Sequence, residues 1–361
     1  MIDFNNGNIG KKLIDEIEKK AFQLDEIKIM EVCGTHTMEI GRMGLRSVLP
    51  KNIQLISGPG CPVCVTPADY IDQACNLCLN RNAHILSYGD MLRVPGVNTS
   101  LEKTRARGGL VTIITSPLKA IEMAKSNPNK NFVFLAVGFE TTMPTTACAI
   151  EKAYSSNLAN LSFYISHRLV PPALEIILCD KELKIDGFLL PGHVSAIIGK
   201  VAYEDIKKYK KPAVITGFKQ LEILLGIFEV LNMMLNNKID IFNAYSQVVK
   251  NNGNIKAIDL INKIFEPVDA YWRGIGIIPK SGMQLKENYK KLDAIQKYSI
   301  KEKHDISMPA KCLCGDVLKG KIFPNQCPLF GKDCLPNNPQ GPCMVSSEGS
   351  CAAYYKFETG N

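Results

Sequence analysis

Phe132-Val133-Phe134-Leu135-Ala136-Val137-Gly138-Phe139-Glu140-Thr141-Thr142 is an unbroken apolar run that passes directly into a loop of glycine, carboxylate and hydroxyls. A strand with one wet face would alternate polar and apolar residues. A run without alternation suits a strand covered on both faces, as in a parallel sheet clad by helices. Seven further short runs share this character: Ile27–Val32, Ile53–Ile56, Ala83–Ser87, Leu110–Ile114, Ser162–Ile165, Gly187–Leu190 and Ala213–Ile215. Helical patterns lie between them. Ser116-Pro117 reads as a helix cap and first helical residue, and Pro144 and Pro172 suit the starts of later helices.

The expected fold class is therefore α/β, with two Rossmann-like domains of mostly parallel sheet and a helical, loop-rich C-terminal part. The Asn-, Lys- and Pro-containing stretch Lys125–Asn131 is a candidate boundary, giving domains 1–125, 126–220 and 221–361. From 219 to about 300 the pattern reads as helical, over Leu221–Leu235, Ile239–Lys250 and Ile255–Phe265.

Almost every strand candidate runs into a chemically loaded loop: Cys33-Gly34-Thr35-His36, Gly58-Pro59-Gly60-Cys61-Pro62-Val63-Cys64, Tyr88-Gly89-Asp90, Gly138-Phe139-Glu140, Ser166-His167-Arg168, Pro191-Gly192-His193 and Thr216-Gly217. Sites in open parallel sheets form outside the carboxyl ends of the strands. Composition narrows the class further. With 46% hydrophobic and 22% charged residues, and no leader pattern in Met1–Asn6 or long apolar span, the chain reads as globular and cytoplasmic. The formal charge of +8 is spread along the chain without a basic, aromatic-interleaved stripe, so neither nucleic acid nor membrane is an expected partner.

The 13 cysteines are the anomaly. An odd count without an export signal argues for metal or redox chemistry rather than disulfides. Seven precede residue 180 and six crowd into residues 312 to 351. Cys61-Pro62-Val63-Cys64 has the spacing to close a disulfide or share a soft metal, and a following helix start lowers thiol pKa. Cys33 stands at a strand end with His36 three residues on, which suits a thiolate held by a base, as nucleophile or as iron ligand. Cys75, Cys78, Cys148 and Cys179 fall in helical patterns and read as structural thiols. Cys312, Cys314, Cys327, Cys334, Cys343 and Cys351 have no histidine among them, which favours an all-thiolate iron–sulfur centre over structural zinc. For Glu140 and His193, acid–base chemistry and a capping or buried hydrogen-bonding role stand level.

Taken together, Glu31–Thr37, Gly58–Pro67, Gly138–Thr142, Pro191–Val194 and Gly341–Gly349 resemble the HypD family of hydrogenase maturation proteins. The motifs occur in order over nearly the whole chain. The resemblance implies a scaffold that, with a small HypC-type partner, assembles an iron carrying cyanide and carbon monoxide. A HypE-type partner would donate the cyanide, and the large subunit of a nickel–iron hydrogenase would receive the product. It implies Cys33 as iron ligand, with His36 beside it, and Cys61 and Cys64 as the redox-active pair. Thr35, Gly58, Gly60, Glu140 and His193 would surround the iron group. A 4Fe-4S cluster would bind Cys312, Cys327, Cys334 and Cys351, leaving Cys314 and Cys343 as a second pair nearby. Two other classes compete: an iron–sulfur-linked thiol/disulfide reductase, which needs no iron at Cys33, and a zinc-stabilised binding protein without redox chemistry.

Overall fold

Each of the eight apolar runs forms a strand in the computed structural model, which describes residues 7–180, 182–301 and 311–358. Met1–Asn6, where no leader is read, lies outside those residues. The strands are β1 (Ile27–Glu31), β2 (Ile53–Ser57), β3 (Ala83–Ser87), β4 (Val111–Ile113), β5 (Asn131–Gly138), β6 (Leu161–His167), β7 (Gly187–Pro191) and β8 (Ala213–Thr216). They are followed by β9 (Ile241–Asn243), β10 (Phe265–Trp272) and β11 (Gly276–Leu285). One sheet has the order β2-β1-β7-β8-β9 and the other β4-β3-β5-β6. Every pairing within these two sheets is parallel. Parallel neighbours need crossover connections, and the crossing helices cover both faces. That is why β5 is buried from Phe132 to Gly138.

The sheets do not follow chain order. After β2 the chain leaves to build the whole second sheet, then returns with β7 beside β1, in the register Ile29↔Gly187. The boundaries 1–125, 126–220 and 221–361 therefore do not coincide with the sheets: a cut at 125/126 separates β3 from its partner β5. Neighbouring runs of similar composition carry no signal for which strand pairs with which.

Between 219 and 300 the helices Gln220–Leu235 and Ile255–Ile264 form as expected, but two segments depart from a helical reading. Ile239–Lys250 is not a helix. Ile241 pairs with Ala213 as β9, and the Asn243 side chain then accepts from Tyr245 N (3.1 Å) and donates to Val249 O (2.9 Å). Such local side-chain bonds compete with helix. Phe265–Leu285 is a bulged antiparallel hairpin, β10 with β11, which buries Phe265, Trp272, Ile278 and Leu285.

One continuous apolar core joins residues of both sheets to Cys314, Cys327, Cys334, Cys343 and Cys351 of the tail. The last helix, Ser350–Phe357, packs on the helix Gly34–Arg42. There Arg46 pairs with buried Glu31 at 2.9 Å, bonds Glu358 and lies over the Tyr354 ring. No helix among the described residues is long and apolar enough to cross a membrane.

Candidate functional site

Cys33 lies two residues beyond β1 and caps the helix Gly34–Arg42, its backbone still extended (φ −147°). The loop of β2 lies directly on it. Gly34 N donates to Gly60 O (3.0 Å), and a Cβ on Gly60 would stand 2.5 Å from Cys33 Cα. From the other side, a Cβ on Gly34 would stand 2.4 Å from Glu348 O. Three chain segments thus meet backbone to backbone, which only glycine allows. Thr35 Oγ1 donates to Glu348 Oε1 at 2.7 Å. Burial, and then the Glu348 carboxylate, push the Cys33 thiol up to about 11, against opposing bonds from the His36 and Thr35 amides.

His36 is fully buried, and its Nε2 donates to Gly217 O at 2.9 Å. Burial holds its pKa down at about 4. Cys33 and His36 are therefore both neutral near pH 7, and they do not form the thiolate–base pair suggested by their spacing. The imidazole stacks on Phe218 at 4.7 Å, and the exposed His193 stacks on the same ring at 3.9 Å.

Cys61 caps the one-turn helix Pro62–Val65, and its sulfur accepts from Cys64 N at 3.3 Å. The two sulfurs are 2.6 Å apart and both thiols are free. Cys61 lines a cleft of about 230 Å³ with Tyr88, Asp90, Thr142, Ser346 and Glu348. Cys64 is fully buried and turned the other way, towards Pro342 O (3.8 Å). Burial, then Cys61, then the thiols of Cys343 and Cys314 push Cys64 well above the ordinary thiol range. Desolvation thus outweighs the lowering expected from a helix start.

The family described as "HypD: Hydrogenase formation hypA family" matches residues 8–358. A hydrogenase expression/formation protein of Methanocaldococcus jannaschii is 41% identical over 358 residues, covering 99% of each chain. The hydrogenase maturation factors HypD of Azotobacter vinelandii and HypD2 of Bradyrhizobium diazoefficiens are 39% and 41% identical, each over 98% of this chain and 96% of theirs. The chain belongs to the HypD family of hydrogenase maturation factors.

In this HypD-family chain the tail brings its cysteines to the dithiol. Cys343 Sγ donates to Cys351 Sγ at 3.2 Å. The Cys343 thiol opposes a rise at Cys351, while burial and the thiols of Cys314, Cys334 and Cys327 push that group up. Among the described residues, no three His, Cys, Asp or Glu stand ready to hold a single metal ion. The donor set nonetheless fits an iron–sulfur cluster: five buried thiols and one half-buried one, all soft, gathered in one segment.

Glu140 stands apart from the cleft. Its Oε1 accepts from Val170 N (2.9 Å) at the start of the helix Val170–Cys179, while its Oε2 is buried without a hydrogen-bond partner. Burial raises its pKa to about 7. Cys75 and Cys78 are core residues of the helix Ala68–Asn80, whereas Cys179 is exposed, 3.2 Å from Tyr209 Oη. Among the cleft residues not assigned from sequence, Asp90, Ser346 and Glu348 carry the ties between segments. Ser346 Oγ donates to Asp90 Oδ2 at 2.7 Å, so the tail ties to the ends of both sheets at once. Their only sequence signal was membership of the Tyr88-Gly89-Asp90 loop and the Gly341–Gly349 motif.

Proposed function

We propose that this chain assembles the diatomic-ligated iron group of a nickel–iron hydrogenase, with a HypC-type partner, a HypE-type cyanide donor and, beyond them, the hydrogenase large subunit. The observation that supports this reading is the position of the dithiol, with Cys61 on the cleft beside the Cys33 loop and Cys64 facing the cysteine-rich tail. The iron group is the cargo, and Cys33 is the soft ligand offered to it, because thiolate suits low-spin iron better than any oxygen donor here. A neutral Cys33 would lose its proton as it binds iron. Glu348, bonded to Thr35, fixes the loop that presents it. His36, locked to Gly217 O, holds the first turn of the helix in place, and His193 stands at the exposed edge of the Phe218 stack.

Cys327, Cys334 and Cys351 are proposed as cluster ligands, with the fourth from Cys312 or Cys314. Cys314 is buried and a neighbour of Cys351, while Cys312, the ligand that the resemblance implies, is half-buried and a neighbour of Cys334. A bound 4Fe-4S cluster would supply single electrons beside the tail thiols. Cys61 and Cys64 hold two electrons as thiols and release them, with two protons, on closing a disulfide.

The deciding experiment is infrared spectroscopy of the complex co-expressed with its partners. Cyanide and carbon monoxide bands in the wild type that vanish in Cys33→Ser support the scaffold. Thiol/disulfide turnover without such bands, unaffected by Cys33→Ser, points instead to a reductase.

A further inference from the structure

Arg273, at the end of β10, is a cation sealed inside the protein: its residue is 3% exposed. Two backbone contacts fix it. Its amide donates to Val65 O at 2.9 Å, next in sequence to Cys64, and its Nη1 donates to Pro95 O at 2.7 Å. The following residue, Gly274 (φ +79°), lies so close to the tail that a Cβ there would meet Gly315 Cα at 2.7 Å. The hairpin therefore wedges Arg273 between the Cys64–Val65 turn and Cys314–Gly315. The thiols of Cys314, Cys312, Cys343 and Cys64 all bear on its charge, opposing the effect of burial.

We infer that Arg273 is a positioning residue whose fixed positive charge offsets the negative charge of the iron–sulfur cluster and raises its reduction potential. The physical basis is general. A cluster on four thiolates is anionic, it gains one more negative charge on reduction, and its potential follows the local charge and exposure. A cation held in a poorly solvated interior acts strongly over several ångströms because little water screens it. Guanidinium stays charged even where burial disfavours charge, and an anionic cluster beside the site would favour the charged form of an ammonium as well. The inference rests on the cluster assignment above, and it requires no new bond or redox partner.

The test uses full-length protein with its cluster loaded anaerobically, reading iron content and the midpoint potential by electron paramagnetic resonance. Arg273→Gln keeps a hydrogen-bonding side chain and removes the charge; Arg273→Lys keeps charge and changes shape. The expected result is a lower potential in Arg273→Gln, a shift of about tenfold in the reduction equilibrium or roughly 60 mV for one electron, with Arg273→Lys close to wild type. A fully loaded Arg273→Gln at the wild-type potential overturns the inference. If Arg273→Gln does not load, a loaded Arg273→Lys at the wild-type potential supports the charge role, and failure of both variants overturns it in favour of packing. A wild type that binds no iron defeats the cluster assignment itself.

Discussion

Glu140 shows how a single side chain at a strand end is tuned by its burial. One oxygen caps a helix through Val170 N and the other has no hydrogen-bond partner, so the neutral acid is favoured up to about pH 7. Because the folded pKa is raised, its stabilising contribution is complete below about 4.5 and is lost as pH rises through about 7. Glu140→Gln should therefore gain on the wild type between pH 5 and 8, by up to roughly 3 kcal/mol. Chemical denaturation at both pH values checks this, and parallel curves would defeat it. Cys33 is a different case: one thiol at a strand end contributes little to packing, so Cys33→Ser should fold with unchanged stability to within about 1 kcal/mol. It should still lose the cargo iron while keeping tail-bound iron, read by iron analysis of the partner complex.

At the scale of elements, the loop after β2 is shaped by its neighbours as much as by its own sequence. Gly60 has backbone, not a flexible side chain, 2.5 Å from where a Cβ would stand. Gly60→Ala must push the Cys33 and Cys61 loops apart, at a cost of about 1–3 kcal/mol. A melting curve equal to that of the wild type, together with retained cargo iron, would show that the close approach is not needed. The one-turn helix Pro62–Val65 sorts the two thiols. Cys61→Ser and Cys64→Ser should each abolish reversible two-electron titration while leaving tail-bound iron unchanged. Cleft-lining Cys61 should be alkylated before buried Cys64, which mass spectrometry of partly labelled protein can follow.

Across the whole molecule, the tail is both lining and lock. Ser346 reaches Asp90 beyond β3, Glu348 reaches Thr35 beyond β1, and the last helix packs on the helix that Cys33 caps. The segment 311–358 has only short helices, so much of its order should depend on bound iron. Removing the iron by oxidation and chelation should make limited proteolysis cut within 311–358 well before the two sheets. Equal protection with and without iron would show that apolar packing alone holds the tail.

The sequence alone determined the parallel α/β class, because β5 and its seven relatives read as runs without alternation and buried faces leave that mark. It also picked out the strand-end loops and the thiol-rich tail, since Cys61-Pro62-Val63-Cys64 and six thiols within residues 312 to 351 are local patterns. The short β9 lies in a segment that reads as helix, and the hairpin Phe265–Leu285 carries no strand signal of its own within a stretch of helical pattern, because their residues take their conformation from partners far along the chain. Tertiary structure alone decided that β7 returns beside β1, and that Glu140 caps a helix away from the cleft. It alone turned His36 towards Gly217 and set Arg273 against the thiols. Pairing, burial and electrostatics depend on distances between residues remote in sequence, and a linear pattern does not carry those distances.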